Sequence, residues 1–167
     1  MVFGDRSTFA IDCEIASRHP PHQALGKFVV YLADCRFGVD EPDASMLGNS
    51  IDAIGKRLLN RGRHTRRSFD ATPAAEIANA YLGGVYRGDG GKHLDWSTIV
   101  WVPDGDEAFD DGSHILQMDT GASVRLIGFK NMGDTLSNDD VVELTMLPDA
   151  FYSVLARCAD WYHRQIH

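Results

Sequence analysis

Cysteine is scarce in this chain: three in 167 residues. Cys13, Cys35 and Cys158 form no CxxC and no paired spacing. An odd, scattered set excludes a complete disulfide framework, so these side chains read as small apolar core residues of a reducing compartment. Long apolar runs are missing as well. No stretch approaches the roughly 18 residues that a membrane-spanning helix needs. Within residues 1–15, Asp5, Arg6, Asp12 and Glu14 interrupt what would have to be the apolar segment of a secretory leader. The expectation is a soluble, cytoplasmic protein without a membrane partner. Proline-rich linkers, internal repeats and low-complexity segments are also lacking, which predicts one domain over residues 1–167.

Positive charge is the other shortage. Lys and Arg number 16 against 24 Asp and Glu, a net charge of −8. The imbalance lies in one half: residues 1–70 carry +1 and residues 71–167 carry −9. That disfavours nucleic acid and anionic membranes as partners, and favours a basic protein drawn in by electrostatic steering. With 44% apolar and 24% charged residues, the composition is that of a folded globular chain.

The hydrophobic pattern alternates between period two and period 3.6. Residues 8–16 put Phe9, Ile11, Cys13 and Ile15 on one side and Asp12 and Glu14 on the other, the mark of a half-buried strand, with Gly4 and Asp5 as the turn before it. The prolines at 20 and 21 end it. Residues 25–33 form a second strand and 35–39 a short third. Leu47, Ile51, Ile54, Leu58 and Leu59 recur at helical spacing over 45–60. Thr72-Pro73 reads as an N-cap and first helical position of a helix over 74–82, stopped by Gly83-Gly84. Residues 97–102, 114–119, 123–130 and 140–147 make four more strands. A last helix begins at Pro148-Asp149, with Phe151, Val154, Leu155, Cys158, Trp161 and Tyr162 as its apolar stripe. The predicted class is α+β: a mainly antiparallel sheet of about six strands with two or three helices packed on one face.

Catalytic and metal motifs fail one after another. The Gly-rich stretch 84–93 has Tyr86 where a phosphate loop needs glycine and His93 where it needs Ser or Thr. The acidic run 104–111 has Ala108 and Phe109 at the fifth and sixth places of a would-be EF-hand, which leaves only an irregular hard-cation site as a weaker reading. His163 and His167, like His19 and His22, lack a third local ligand for zinc. Gly121-Ala122-Ser123-Val124-Arg125 departs from a nucleophile elbow at its last position. No cofactor, metal or catalytic residue set follows. Arg61, Arg63, Arg66 and Arg67 form the one basic cluster, read as a solvated, mobile loop.

What remains is the acidic run itself. Asp104, Asp106, Glu107, Asp110 and Asp111 place five carboxylates in eight residues. Mutual repulsion predicts an exposed loop, either a solvated hairpin connection or a docking patch for a basic protein with Phe109 as its apolar anchor.

The N-terminus supplies a resemblance. Met1-Val2-Phe3-Gly4-Asp5, then Phe9-Ala10-Ile11 with Glu14 in the same strand, then Gly26-Lys27-Phe28 heading the next, resembles the immunity protein 42 family of bacterial polymorphic toxin and contact-dependent inhibition systems. The likeness covers about the first forty residues. It implies an antidote that binds the C-terminal domain of a cognate toxin, plausibly a basic nuclease, and blocks it by direct occlusion; it implies no enzymatic residues. Phe3, Gly4, Phe9, Ala10, Ile11, Gly26 and Phe28, the matching positions, are by their chemistry core and turn residues. Two other readings compete: a small cytosolic enzyme with a dispersed site around His93 and His114, and a non-enzymatic adaptor.

Overall fold

The computed structural model describes residues 1–19, 23–88, 95–133 and 135–166, without the side chain of His19. Its strands divide into two antiparallel sheets. The first runs β1 (Val2–Gly4), β2 (Phe9–His19), β3 (Gln23–Leu32) and β4 (Cys35–Phe37) in sequence order, with β5 (Ser45–Met46) also pairing with β3. After α1 (Leu47–Leu59) and α2 (Ala74–Leu82), the second sheet runs β6 (Val100–Val102), β7 (Ser113–Asp119), β8 (Val124–Lys130) and β9 (Val141–Met146), and the chain closes with α3 (Pro148–Ile166). The class is α+β as the periodicities predict. The strands number nine among the described residues, in two sheets.

The alternation in β2 decides how the first sheet is buried. Phe9, Ile11 and Cys13 stand opposite Leu32, Val30 and Phe28, with Phe3 of β1 opposite Ile11. Cross-strand partners share a face. That face is fully covered, and burying each large side chain contributes roughly 1.5–3 kcal/mol. α1 and α3 supply Leu47, Ile51 and Ile54, and Phe151, Leu155 and Cys158, to the same core. On the opposite face, Asp12 is held by Arg6 at 2.8 Å, Lys27 at 3.3 Å and the N-terminal ammonium at 3.5 Å, while Lys27 also reaches Asp40 at 3.2 Å.

The second sheet is covered on both sides. Ile115, Val124 and Leu126 join Trp101 in the main core, whereas Leu116, Met118, Ile127 and Phe129 pack with Ile77, Ala78, Tyr81 and Leu82 of α2 and with Trp96. All seven residues of β7 are buried. The two sheets meet at Gly128, where an added Cβ would lie 2.5 Å from Phe37 and 2.8 Å from Leu32. Gly26 serves a similar purpose beside the irregularity in β2 at Ile15/Ser17: a Cβ there would lie 2.6 Å from Leu47, the first residue of α1.

Several local readings change. Val2–Gly4 is an edge strand, and the turn follows at Asp5, whose carboxylate accepts from the Ser7 N–H at 2.9 Å. Gly83-Gly84 does not stop α2. The helix continues as a π-turn over Gly83–Arg87 and ends at Gly88 in the left-handed region. Gly83 is buried, and Trp96 Nε1 lies 3.4 Å from a Cβ built on Gly84, so tertiary packing overrides the low helix propensity of glycine. Pro73, not Thr72, is the N-cap of α2, and the Thr72 hydroxyl donates to Ser68 O at 3.2 Å. Residues 97–99 turn before β6 starts, because the Asp95 side chain captures the Ser97 N–H at 2.9 Å.

Candidate partner-binding surface

The acidic run connects β6 to β7, and the structure turns most of it inward. Asp106 is only 4% exposed and caps a short 3-10 turn, Glu107–Phe109, by accepting from Ala108 N at 2.9 Å. Asp104 accepts from the Asp106 N–H at 3.1 Å. Burial pushes the Asp104 carboxyl up to about 6, against the neighbouring Ser50 hydroxyl and the Asp106 N–H, which favour its ionised form. Asp111 accepts from Ser113 N at 3.1 Å and pairs with Lys130 at 2.6 Å. These bonds and the lysine hold its carboxyl below the usual range against the opposing effect of burial, which is the largest single influence.

Phe109 is the clearest correction. It is 3% exposed and packs edge-on against Phe28, so it is a core residue and no anchor for a partner. Burying the phenyl group contributes roughly 1.5–3 kcal/mol, and the turn achieves it while Glu107 and Asp110 stay in water. Of the five carboxylates, Glu107 and Asp110 alone are exposed.

The fold adds acids the run does not contain. Val39 donates to Ala108 O at 2.7 Å, Gly38 donates to Ser113 Oγ at 2.9 Å, and β5 packs on the 107–109 turn. Residues 40–44 are therefore held against the acidic loop at both ends. They bring Asp40, Glu41 and Asp43, all exposed. Asp40 is engaged by Lys27 and Arg36, each at 3.2 Å. Glu41, Asp43, Glu107 and Asp110 form no ion pair among the described residues. The surface is composite, drawn from two segments more than sixty residues apart. Three carboxylates in residues 40–43 were legible in the sequence, but nothing local signals that they meet residues 107–110.

The basic cluster follows the C-terminal end of α1, and two of its arginines are docked rather than free in solvent. Arg61 pairs with Asp149 and lies over the Tyr152 ring at 5.0 Å, while Arg66 donates to Asp95 O and lies over Trp96 at 5.7 Å. His64 is buried, with Nδ1 3.0 Å from Arg57 Nη1 and 2.9 Å from Thr98 O. Guanidinium can only donate and the Thr98 carbonyl can only accept, so a neutral ring satisfies one of these two Nδ1 contacts at a time, and burial together with Arg57 depresses the imidazole pKa. Asp119 accepts from His64 N at 3.2 Å, Gln117 Nε2 at 3.2 Å and Tyr152 Oη at 3.0 Å. This explains how β7 carries Asp119 buried.

His114, proposed for a dispersed active site, stacks on Phe129 at 5.2 Å between ring centroids and meets Tyr81 and Tyr86 edge-on. Burial drops it to about 4. His93, its suggested partner, lies outside the described residues, as do His22 and His167. No group of three or more His, Cys, Asp or Glu side chains suited to a metal occurs among the described residues. No helix there is long and apolar enough to cross a membrane. Phe3, Phe9, Ala10, Ile11 and Phe28 are buried, and Gly4 adopts φ +98°, where a side chain would run into the Phe9 carbonyl.

Residues 1–161 match the family model of immunity protein 42, and the chain belongs to that family. It is thus an immunity protein, which binds and neutralises a cognate toxin. In fold it is similar to the crystal structure of CdiI from Burkholderia dolosa AUO158, with a TM-score of 0.71 and 17% identity over 96% of this chain and 99% of that one. At that identity the likeness is one of fold. No curated protein matches the chain by sequence.

Proposed function

We propose that the chain is a cytoplasmic, non-enzymatic antidote that neutralises a basic toxin domain, of the nuclease class, by covering its active site with the composite acidic surface. The observation that carries this is the set of exposed carboxylates, Glu41, Asp43, Glu107 and Asp110, without ion-pair partners among the described residues. A nuclease site must itself be positive to hold phosphate, so the same charge that recruits the toxin competes with its substrate. Rim charge of this kind raises the association rate more than it lowers the dissociation rate. Asp104, Asp106 and Asp111 contribute by fixing the loop, and the whole chain acts as one domain.

The test is co-expression with the toxin domain encoded immediately upstream. Rescue of growth and co-purification of a stoichiometric complex are expected; continued killing with no complex would overturn the reading. A toxin with an acidic or neutral active-site face, bound equally well, would refute the electrostatic part alone.

A further inference from the structure

The outermost strands of the two sheets are β1, β4, β6 and β9; the first three have three residues each, and β9 has six. An exposed edge invites pairing with another chain, and folds usually blunt it with short strands, prolines, lysines or bulges. β6 is short, runs into Pro103 and shifts register against β7. β9, Val141-Val142-Glu143-Leu144-Thr145-Met146, contains no proline or lysine and pairs with β8 in unbroken register.

The direction of its backbone groups follows from the neighbouring ladder. Thr120 N–H donates to Ser123 O at 2.9 Å and Asn131 N–H to Gly112 O at 2.8 Å, so the odd-numbered residues of β8 bond to β7 and the even-numbered ones to β9. Val142, Leu144 and Met146 stand opposite those even residues and take up the bonds to β8. Val141, Glu143 and Thr145 are turned outward. The Val141 N–H is used on Asn138 O in the preceding turn. Glu143 and Thr145 keep an N–H and a C=O each with no backbone partner among the described residues.

Both faces beside this edge are hollow. Glu143 and Thr145 line a cavity of about 500 Å³ with Thr72 and Arg125, while Val142, on the opposite face, lines one of about 450 Å³ with Phe37 and Leu136. An added strand sends alternate side chains to the two faces, so its main chain supplies affinity and the cavities supply specificity. The second cavity leads to the acidic surface, since Arg36 in its wall pairs with Asp40 and Lys130 pairs with Asp111.

Charge selects the occupant. Asp139 and Asp140 are exposed at the head of the strand and form no ion pair among the described residues. A second copy paired antiparallel about the middle of β9 would set Glu143 beside its own counterpart and Asp139-Asp140 beside Asp149, and like charges across a pair are destabilising. A basic segment meets opposite charge there instead.

We infer that the open edge of β9 accepts an extended segment of the cognate toxin as an added strand, one that alternates apolar and basic residues and bonds to the Glu143 and Thr145 backbone. The choice of occupant rests on the reading of the partner as a basic toxin domain.

Hydrogen exchange followed by NMR on the full chain, free and bound to the toxin domain encoded immediately upstream, tests this. In the free chain the Glu143 and Thr145 amides should exchange quickly and the Leu144 amide slowly; in the complex the two fast amides should slow by about 10-fold or more. Thr145→Pro removes one outward donor and no bond to β8, a change that edge strands tolerate. It should weaken toxin binding by about 10-fold or more with little change in Tm, whereas Thr145→Ala, which keeps the N–H, should bind within about 2-fold of wild type. If Thr145→Pro folds poorly, exchange of the wild-type amides carries the test. A complex in which both amides stay fast, or one that a folded Thr145→Pro leaves at full affinity, would overturn the added strand and leave the antidote reading standing; failure to form any complex would overturn both. Protection of the same amides in a concentrated free chain would assign the edge to a second copy and overturn the toxin as its occupant.

Discussion

The Phe109 ring meets Phe28 edge-on, its centroid 6.1 Å away and its plane rotated by 83°. One ring comes from the middle of an acidic connection and the other from the central strand of the first sheet, so this pair sews the β6–β7 loop into the main core. The loop's charge is consequently arranged around an apolar pin: Asp106 caps the turn that presents the ring, and Glu107 and Asp110 are turned out to water.

Phe109→Ala should therefore act as a core truncation. A loss of roughly 3–5 kcal/mol is expected from removing a buried aromatic and leaving a cavity. Urea denaturation should show the lower midpoint with an unchanged slope. A loss below about 1 kcal/mol would mean the ring is not held in the core.

Gly128 tests whether the two sheets fold together. Phe37 and Leu32 occupy the space a side chain would need, so Gly128→Val should force the sheets apart and cost about 1–3 kcal/mol or more. Because the contact crosses the sheets, tryptophan fluorescence and far-UV circular dichroism should shift together in one transition. Two separated transitions would contradict the single-domain reading.

The buried His114 predicts acid sensitivity. Its folded pKa, about 4, lies below the ordinary histidine value, and burial is the principal cause, with Asp111 acting weakly the other way. The unfolded chain therefore binds the proton first as pH falls. Stability from the neutral ring is complete above about pH 6.5 and is lost progressively down to about pH 4, with a slope of at most ~1.4 kcal/mol per pH unit from this group. Relative to His114→Phe, which cannot titrate there, the wild type should lose stability as pH falls from about 6.5 to about 4, so the separation of the two stability curves should change over that range. Parallel curves would remove His114 as the source.

The legible part of this fold is its periodicity. The alternation of Phe9, Ile11 and Cys13, and the stripe from Phe151 to Tyr162, reported both an element and its buried face. Partition into two sheets was not legible, because nothing in the Leu126-Ile127-Gly128-Phe129 run says that Gly128 faces Phe37 across an inter-sheet contact. The site was half legible for the same reason. Charge is visible in sequence, but direction is set by capping and core contacts, which turned Asp106 and Phe109 inward. The partnership of residues 40–43 with 107–110 depends on the Val39–Ala108 hydrogen bond, a long-range event without local trace.

That partnership yields the most direct functional prediction. Neutralising Glu41, Asp43, Glu107 and Asp110 together, with Gln or Asn, should slow association with the cognate toxin by about 10-fold or more at low salt, within the range electrostatic steering covers. The difference should shrink toward 150 mM salt, where the Debye length is about 8 Å. Dissociation should change little, since exposed rim charges contribute mainly to encounter. Asp111→Asn set against Asp110→Asn is the matched control: each removes one charge from the same loop, but Asp111 is already paired with Lys130. Stopped-flow association measured across salt should separate the two variants. Equal slowing by both would show that net charge alone, and not this surface, steers the toxin; no slowing by the fourfold variant would place the toxin's contact elsewhere.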